Sequence, residues 1–306
     1  MPEPMLIGIV ICTRNRAIRV SELLENLRNL PKNVVEVVVV DSSTTADTFE
    51  LINRQHSEKI TYISSTPGLP HQRNLGVNHL LNRALPVEIV AFLDDDVSLP
   101  AGYFIEIGDQ FAGHPDAACI GGFDLNLNVK PATAIETLLC LRGKRDFGRL
   151  LPSGIAVPIR DTFGTALTDW APGHNLNVAA WALRKVVFNE KIRMYGEDVE
   201  FLLRLAQVGP IYASSSLGVH HNAESSGRDR LGEAESYNAG FRWWLAETYP
   251  SRFSKPRVVF SSLALMTGYA LKGIMLRDRD AIHRSLGLVK FFVRLFAGRQ
   301  VTQTTH

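Results

Sequence analysis

The sequence predicts an α/β fold with a mostly parallel central sheet flanked by helices, followed by a helical C-terminal extension. Three observations lead to this reading. Short β-branched runs alternate with amphipathic helical patterns through the first half of the chain, as strand–helix–strand units require. One run, "VVEVVVV" at 34–40, is apolar at almost every position, the mark of a strand buried on both faces. Beyond residue 227 the pattern is helical to the end.

"LIGIVIC" (6–12) reads as the first strand, and Ile18, Leu23, Leu24, Leu27 and Leu30 mark an amphipathic helix behind it. The strand at 34–40 is followed by a helix near 45–56, the strand "ITYIS", a helix over about 70–84 and the strand "VEIVAFL". Three of these strands end in polar clusters, "CTRNR", "DSSTTAD" and "DDD". In open α/β sheets ligands bind outside the carboxyl ends of the strands, so the clusters are expected to converge on one crevice. The stretch at 142–167 is rich in Gly, Pro and Arg without a clear period, and loops of that length serve function or stay disordered. "GEDVEFLLRLAQVG" then predicts a helix stopped by Gly209, with short strands near 210–213 and 217–220 ending at His220-His221.

The 306 residues are 45% hydrophobic and 21% charged, an ordinary globular balance that leaves room for a sizeable core. The net charge of +2 conceals an asymmetry: from Ser251 onward there are ten Lys/Arg and two Asp, so the body is acidic and the tail basic. Cys12, Cys119 and Cys140 are odd in number and lack metal-ligand spacing, which argues against a disulfide framework or zinc site and for a reducing, cytoplasmic setting. The apolar start "MLIGIVIC" follows Glu3 and lacks a small-residue cleavage site, so it reads as a strand rather than a signal peptide. The most apolar later stretch, 258–276, is broken by Lys272, and no spanning helix is expected.

Asp94, Asp95 and Asp96 stand in a row behind an apolar strand, although like charges so close repel by roughly 1 to 4 kcal/mol per pair near a surface. On extended backbone Asp94 and Asp96 share one side and Asp95 faces the other. Their hard oxygens suit Mg²⁺ or Mn²⁺, which bridge to substrate phosphates. An exposed acidic turn is the plainer alternative. A histidine beside them tilts the choice toward Mn²⁺, and because His220 and His221 end a strand only one can face the crevice. Glu197 and Asp198 sit at a helix start, where acids stabilise the first turn by roughly 0.3 to 1 kcal/mol; the functional alternative is a general base. Arg14, Arg16 and Arg73 occupy strand-to-helix positions suited to phosphate contacts.

In order along the chain, "VICTRNR", "VVVVDSS", "QRNLGV", "FLDDDV", "PGHNLNV", "GEDVEFLLRL" and "VHHNAESSG" resemble family 2 glycosyltransferases of GT-A fold over about residues 6–226. The resemblance implies a nucleotide-sugar (donor) half over 1–125, an acceptor and catalytic half over 126–226, and a basic extension over 227–306. It implies that Thr13 and Asp41 contact the base and Arg73 supports the nucleotide, with Arg14 beside them. Asp94, Asp95 and Asp96 match the DxD motif, Asp96 as metal ligand and Asp95 near the ribose, and His220 matches the histidine completing the metal or diphosphate contacts. Asp198 matches the catalytic base, with Glu197, Asn175 and Trp170 on the acceptor side. The reaction implied is inverting transfer, aided by Mn²⁺ or Mg²⁺, from a UDP- or dTDP-linked sugar to a glycan or lipid-linked acceptor. The processive members' QxxRW is replaced by "AGFRW" (239–243), so single addition is implied.

Rival classes fare worse. A sugar nucleotidyltransferase needs a Gly-rich loop after the first strand, a dinucleotide oxidoreductase needs GxGxxG there, and "CTRNR" has no glycine. A non-catalytic scaffold is the remaining alternative, and nucleic acid is not expected as a partner. For the tail, 281–297 places His283, Lys290 and Arg294 on one helical face, with Leu286, Val289, Phe292, Val293 and Phe296 mostly elsewhere. Two expectations stand side by side: peripheral binding to an anionic inner membrane face, or packing on its own domain or on a second copy in a homo-oligomer.

Overall fold

The computed structural model describes residues 4–298 apart from 56, 128–129, 140, 144–146, 160–163, 193–194 and 223–230. Cys140, parts of the loop read at 142–167 and the "AESSG" end of the last motif lie outside the described residues. The chain forms two compact units. The first comprises Met1–Val129, Ile159–Glu190 and Glu197–Ala223; the second comprises Lys130–Pro158, Lys191–Gly196 and Glu224–His306.

The first unit holds the sheet. Its strands are β1 (Ile7–Thr13), β2 (Val34–Asp41), β3 (Ile60–Ser64), β4 (Ile89–Asp94), β5 (Val97–Ser98), β6 (Cys119–Asp124), β7 (Thr165–Leu167), β8 (Asn175–Ala179) and β9 (Ile211–His221). Their order is β3-β2-β1-β4-β8-β6-β9-β5, with β7 also on β9. The first four strands pair in parallel as the sequence predicts. The sheet then becomes mixed: β8 runs antiparallel to β4 and β6, β6 is parallel to β9, and β5 and β7 are antiparallel to β9. The two short strands read near 210–213 and 217–220 are one continuous β9. Its polar middle stays in the ladder because Ser214 bonds to Thr165 (3.0 Å) and Ser216 (2.8 Å).

Helices α1 (Ala17–Asn26), α2 (Asp47–Gln55), α3 (Leu69–Leu81), α4 (Tyr103–Gly113), α6 (Ala180–Leu183) and α7 (Glu197–Leu205) belong to this unit, while α5 (Ala134–Leu138) belongs to the second. β1 and β2 are buried along nearly their whole length, the both-faces-covered state that their valine and isoleucine runs demand. α3 lies close on β1, and glycine makes that approach possible: a Cβ on Gly76 would stand 2.6 Å from Val10 Cγ1.

The second unit packs α8 (Leu231–Thr248), α9 (Lys255–Leu276) and α10 (Arg279–Phe296) together. Contrary to the sequence reading, Lys272 does not interrupt α9, which is long and apolar enough to cross a membrane by length and composition. Val258, Ser261, Ser262 and Gly273 are nonetheless buried on one side. α10 divides its apolar residues. Leu288, Phe291 and Phe292 are buried, whereas Leu286, Val289, Val293 and Phe296 are exposed.

The two glycine environments give a paired stability test. Gly76→Ala should destabilise by about 1–3 kcal/mol through overpacking against Val10, while Gly108→Ala on α4, with open space around it, should stabilise by roughly 0.4–1 kcal/mol. Urea unfolding of the two variants checks the opposite signs.

Candidate active site

Strand register builds the site. Thr13 stands opposite Asp41 and Cys12 opposite Asp94, so the carboxyl ends of β1, β2 and β4 lie side by side where the strand order reverses. Gln72 straps two of these ends, donating from Nε2 to the carbonyls of Thr13 (3.0 Å) and Val40 (2.9 Å). After Asp94 the chain turns through Asp95 and Asp96 into β5, which pairs with the end of β9: Val97 opposite His221 and Ser98 opposite His220.

The three aspartates are compensated by cationic neighbours. Arg16 Nη1 donates to Asp95 Oδ1 (2.9 Å) and Asp96 Oδ2 (3.2 Å), and the Thr13 hydroxyl donates to Asp95 Oδ2 (2.7 Å). Arg73 Nη2 reaches Asp94 Oδ1 at 3.5 Å, and His221 Nε2 lies 3.1 Å from Asp96 Oδ1. Burial pushes the Asp95 carboxyl up against the Thr13 and Arg16 hydrogen bonds. Burial opposes ionisation of Asp96 too, but His221 and Arg16 outweigh it and hold that carboxyl below its ordinary range. The same contact with Asp96 raises His221. His174 stacks on His221 with centroids 4.2 Å apart, and burial followed by the charge of His221 lowers it to about 4, so it stays neutral.

Asp94, Asp96 and His221 each offer one ligand atom, all within 4.8 Å of one another. The buried Asp96 Oδ1 has no aligned hydrogen-bond donor, its approach to His221 notwithstanding. A carboxylate oxygen withdrawn from water and left without a donor is suited to a cation, and two carboxylates with one imidazole are a donor set appropriate to Mn²⁺.

A second carboxylate pair lies across Arg73. The guanidinium donates to Glu197 Oε1 (3.2 Å) and the Gly173 carbonyl (2.9 Å), and the Gly173 N–H donates to Asp198 Oδ2 (3.0 Å). A Cβ at Gly173 would meet Arg73 Nη2 at 2.9 Å and Asp198 Cβ at 3.3 Å, so glycine permits this approach. Glu197 and Asp198 are both pushed up, first by burial; their mutual repulsion raises Glu197 further although Arg73 pulls the other way.

These placements alter several sequence expectations. His221 joins the aspartates, not His220. Alternation along β9 turns His220 outward, where it is exposed and bonds to Asn126 Oδ1 (3.0 Å). Arg73 is 2% exposed and committed to three acceptors, so it anchors the site from behind instead of presenting a face to a phosphate. Asn175 is fully buried, its amide donating to the Leu217 carbonyl (2.7 Å) and accepting from the Tyr103 hydroxyl, and it cannot meet an acceptor. Trp170 is partly buried against the core. Asp41 is 2% exposed, accepting from Ser43 N–H (2.8 Å) and Tyr62 OH (3.2 Å). Arg14 is exposed, with no shown side-chain bond among the described residues. Arg16 and His174 were not given these parts from sequence, although both lie inside motifs that were singled out.

Residues 8–147 match the Glycosyl transferase family 2 model. Solved structures share its GT-A fold. A mannosyltransferase from Pyrobaculum calidifontis, PcManGT, in complex with GDP-Man and Mn²⁺ superposes with a TM-score of 0.57 at 17% identity, over 96% of this chain and 88% of that one. GalNAc-T7 with UDP, GalNAc and Mn²⁺ gives 0.53 at 12%, covering 79% of this chain and 50% of that one. S. aureus TarS 1-349 in complex with UDP gives 0.51 at 18%, covering 96% and 72%. No curated protein sequence matches the chain.

Removing the buried cation tests this arrangement. Arg73→Gln should cost roughly 3–5 kcal/mol of stability by stranding the buried carboxylates. Because Glu197 and Asp198 already hold protons more tightly folded than unfolded, the deficit should widen as pH rises from about 5.5 to about 8. Urea unfolding at the two pH values measures it.

Proposed function

We propose that this chain is an inverting, non-processive glycosyltransferase that moves a sugar from a nucleoside-diphosphate sugar to an acceptor hydroxyl. The observation that carries this reading is the convergence of Asp94, Asp96 and His221 at the carboxyl ends of the parallel strands. We take Asp94-Asp95-Asp96 as the DxD motif, with Asp94, Asp96 and His221 holding Mn²⁺. When bound, the ion would supply Lewis-acid stabilisation of charge on the departing diphosphate.

The chain's own residues supply the rest. Asp95, fixed by Thr13 and Arg16, stands beside the ligands and is available to the ribose. Opening of the Arg16 contact to Asp96 would free that guanidinium for a diphosphate oxygen. Asp198 is the base that takes the acceptor proton. Its Oδ2 is aimed by the Gly173 N–H, and burial raises its pKa toward the working range of a general base. Arg73 holds Glu197, Gly173 and Asp94 in one frame, tying the donor strands to the base-bearing loop. Attack of the deprotonated hydroxyl on the face of C1 opposite the leaving group inverts the anomeric centre in one displacement.

The acceptor is read as a glycan or lipid-linked hydroxyl, in cell-surface glycan synthesis at the cytoplasmic face of a membrane. Peripheral association is supported by α10: Ile282, Leu286, Val289, Val293 and Phe296 recur at four- and three-residue spacing and are exposed. Arg279, Lys290 and Arg294 lie along one side of that stripe, as an anionic interface requires.

Asp198→Asn should lower kcat by roughly 10² to 10⁴ while leaving donor binding intact. The acid limb of the wild-type kcat profile should lie above the ordinary carboxylate range, with activity rising as pH climbs through the raised pKa. Steady-state transfer assays with separate donor titrations check both. Collapse of donor binding in Asp198→Asn would remove the base assignment.

A further inference from the structure

The second unit contains a cavity of about 570 Å³ that the transfer chemistry does not use. Arg142, Leu151, Ser153, Pro256, Arg257 and Phe260 are among its lining residues. Its wall is a tight hairpin: Leu150 bridges Ala156, Gly154 N–H donates to the Leu151 carbonyl (2.7 Å), and Gly154 takes φ +74°. The hairpin is pinned to the start of α9, where Ser254 N–H donates to the Pro152 carbonyl (2.8 Å). Behind it the buried Arg242 donates to Ser261 Oγ and Ser262 Oγ, both at 3.1 Å.

The chemistry of this wall asks for an anion. Ser153 is 3% exposed, yet its buried hydroxyl has no hydrogen-bond partner. Leaving such a group unpaired is costly, and a ligand oxygen in the cavity would satisfy it. Arg142 is bidentate to Glu136 (3.0 and 3.3 Å) and so nearly neutralised locally. Arg257 is exposed and shows no carboxylate partner among the described residues. It stands in the first turn of the 22-residue α9, whose N-cap Ser254 makes no side-chain cap; a helix start of this kind favours phosphate.

The same helix face carries hydrocarbon. At 100° per residue, Pro256, Arg257, Phe260, Leu263, Leu271, Ile274 and Met275 fall on one side of α9. Phe260, Leu263, Leu271, Ile274 and Met275 are 43–77% exposed. An apolar strip thus leads away from an anion-seeking cavity for about 22 Å along the helix. We infer that the second unit binds a phosphorylated lipid, its phosphate monoester between Arg257 and Ser153 and its chain along the α9 strip. The inference rests on this unit alone and adds a ligand to the transferase reading, not a step in its chemistry.

The test uses the full chain and reads binding, never transfer. Decyl phosphate, inorganic phosphate and two vesicle types, phosphatidylcholine alone or with phosphatidic acid, are titrated against wild type, Arg257→Glu and Leu263→Ser. Both variants change exposed positions, and circular dichroism confirms their fold. Decyl phosphate should bind tighter than inorganic phosphate, and vesicles with phosphatidic acid should be captured about tenfold better than neutral ones. Arg257→Glu should erase the preference for phosphatidic acid, and Leu263→Ser, about 9 Å along the helix from Arg257 and within reach of a ten-carbon chain, should weaken decyl phosphate but not inorganic phosphate. Equal capture of both vesicle types, an undiminished preference in Arg257→Glu, or decyl phosphate no tighter than inorganic phosphate would overturn the assignment.

Discussion

A single buried guanidinium holds the candidate site together. Arg73 enters from α3 and divides its donors among Asp94 at the end of β4, Glu197 at the start of α7 and the carbonyl of Gly173 before β8. The guanidinium lies over the Phe188 ring, its carbon 5.2 Å from the centroid. Burying such a charge is costly unless every donor is met and opposing charge is close. Here two carboxylates and a carbonyl accept from it, and the cost is returned as geometry: three segments far apart in sequence are locked into one frame.

The acidic triplet makes sense within that frame. Arg16, Arg73 and His221 offset its repulsion, yet one buried oxygen of Asp96 keeps an unused lone pair. Complete neutralisation by protein groups would leave nothing for a ligand. Partial neutralisation leaves a folded site that still attracts a cation and, through Arg16, an anion. His174, kept neutral beneath His221, fills the space behind the imidazole without adding a competing positive charge.

Much of this was legible in the sequence where the signal is local. The valine run of β2, the amphipathic α1 and the acidic start of α7 each carry their own period, and the order of motifs pointed to the family. What escaped depends on distant pairing. Whether His220 or His221 faces the aspartates is a matter of parity, fixed by the β5–β9 register across more than a hundred residues. β6 hides behind "CIGGF", where Gly122 is needed because a Cβ would stand 1.7 Å from the Leu217 carbonyl. β8 reads as polar, yet Asn175 and Asn177 are buried with their amides donating to the Leu217 and Ile120 carbonyls. The strand-to-helix position of Arg16 suggests phosphate but says nothing about the carboxylates of Asp95 and Asp96, which reach it from the turn after β4.

Crystals grown with Mn²⁺ and a nucleoside diphosphate, measured at the manganese absorption edge, address the central claim most directly. The account predicts one strong anomalous peak bounded by Asp94, Asp96 and His221, touching the diphosphate, with Arg73 unmoved behind it. A peak at His220, or diphosphate bound in the crevice with no anomalous signal among those three residues, would contradict it.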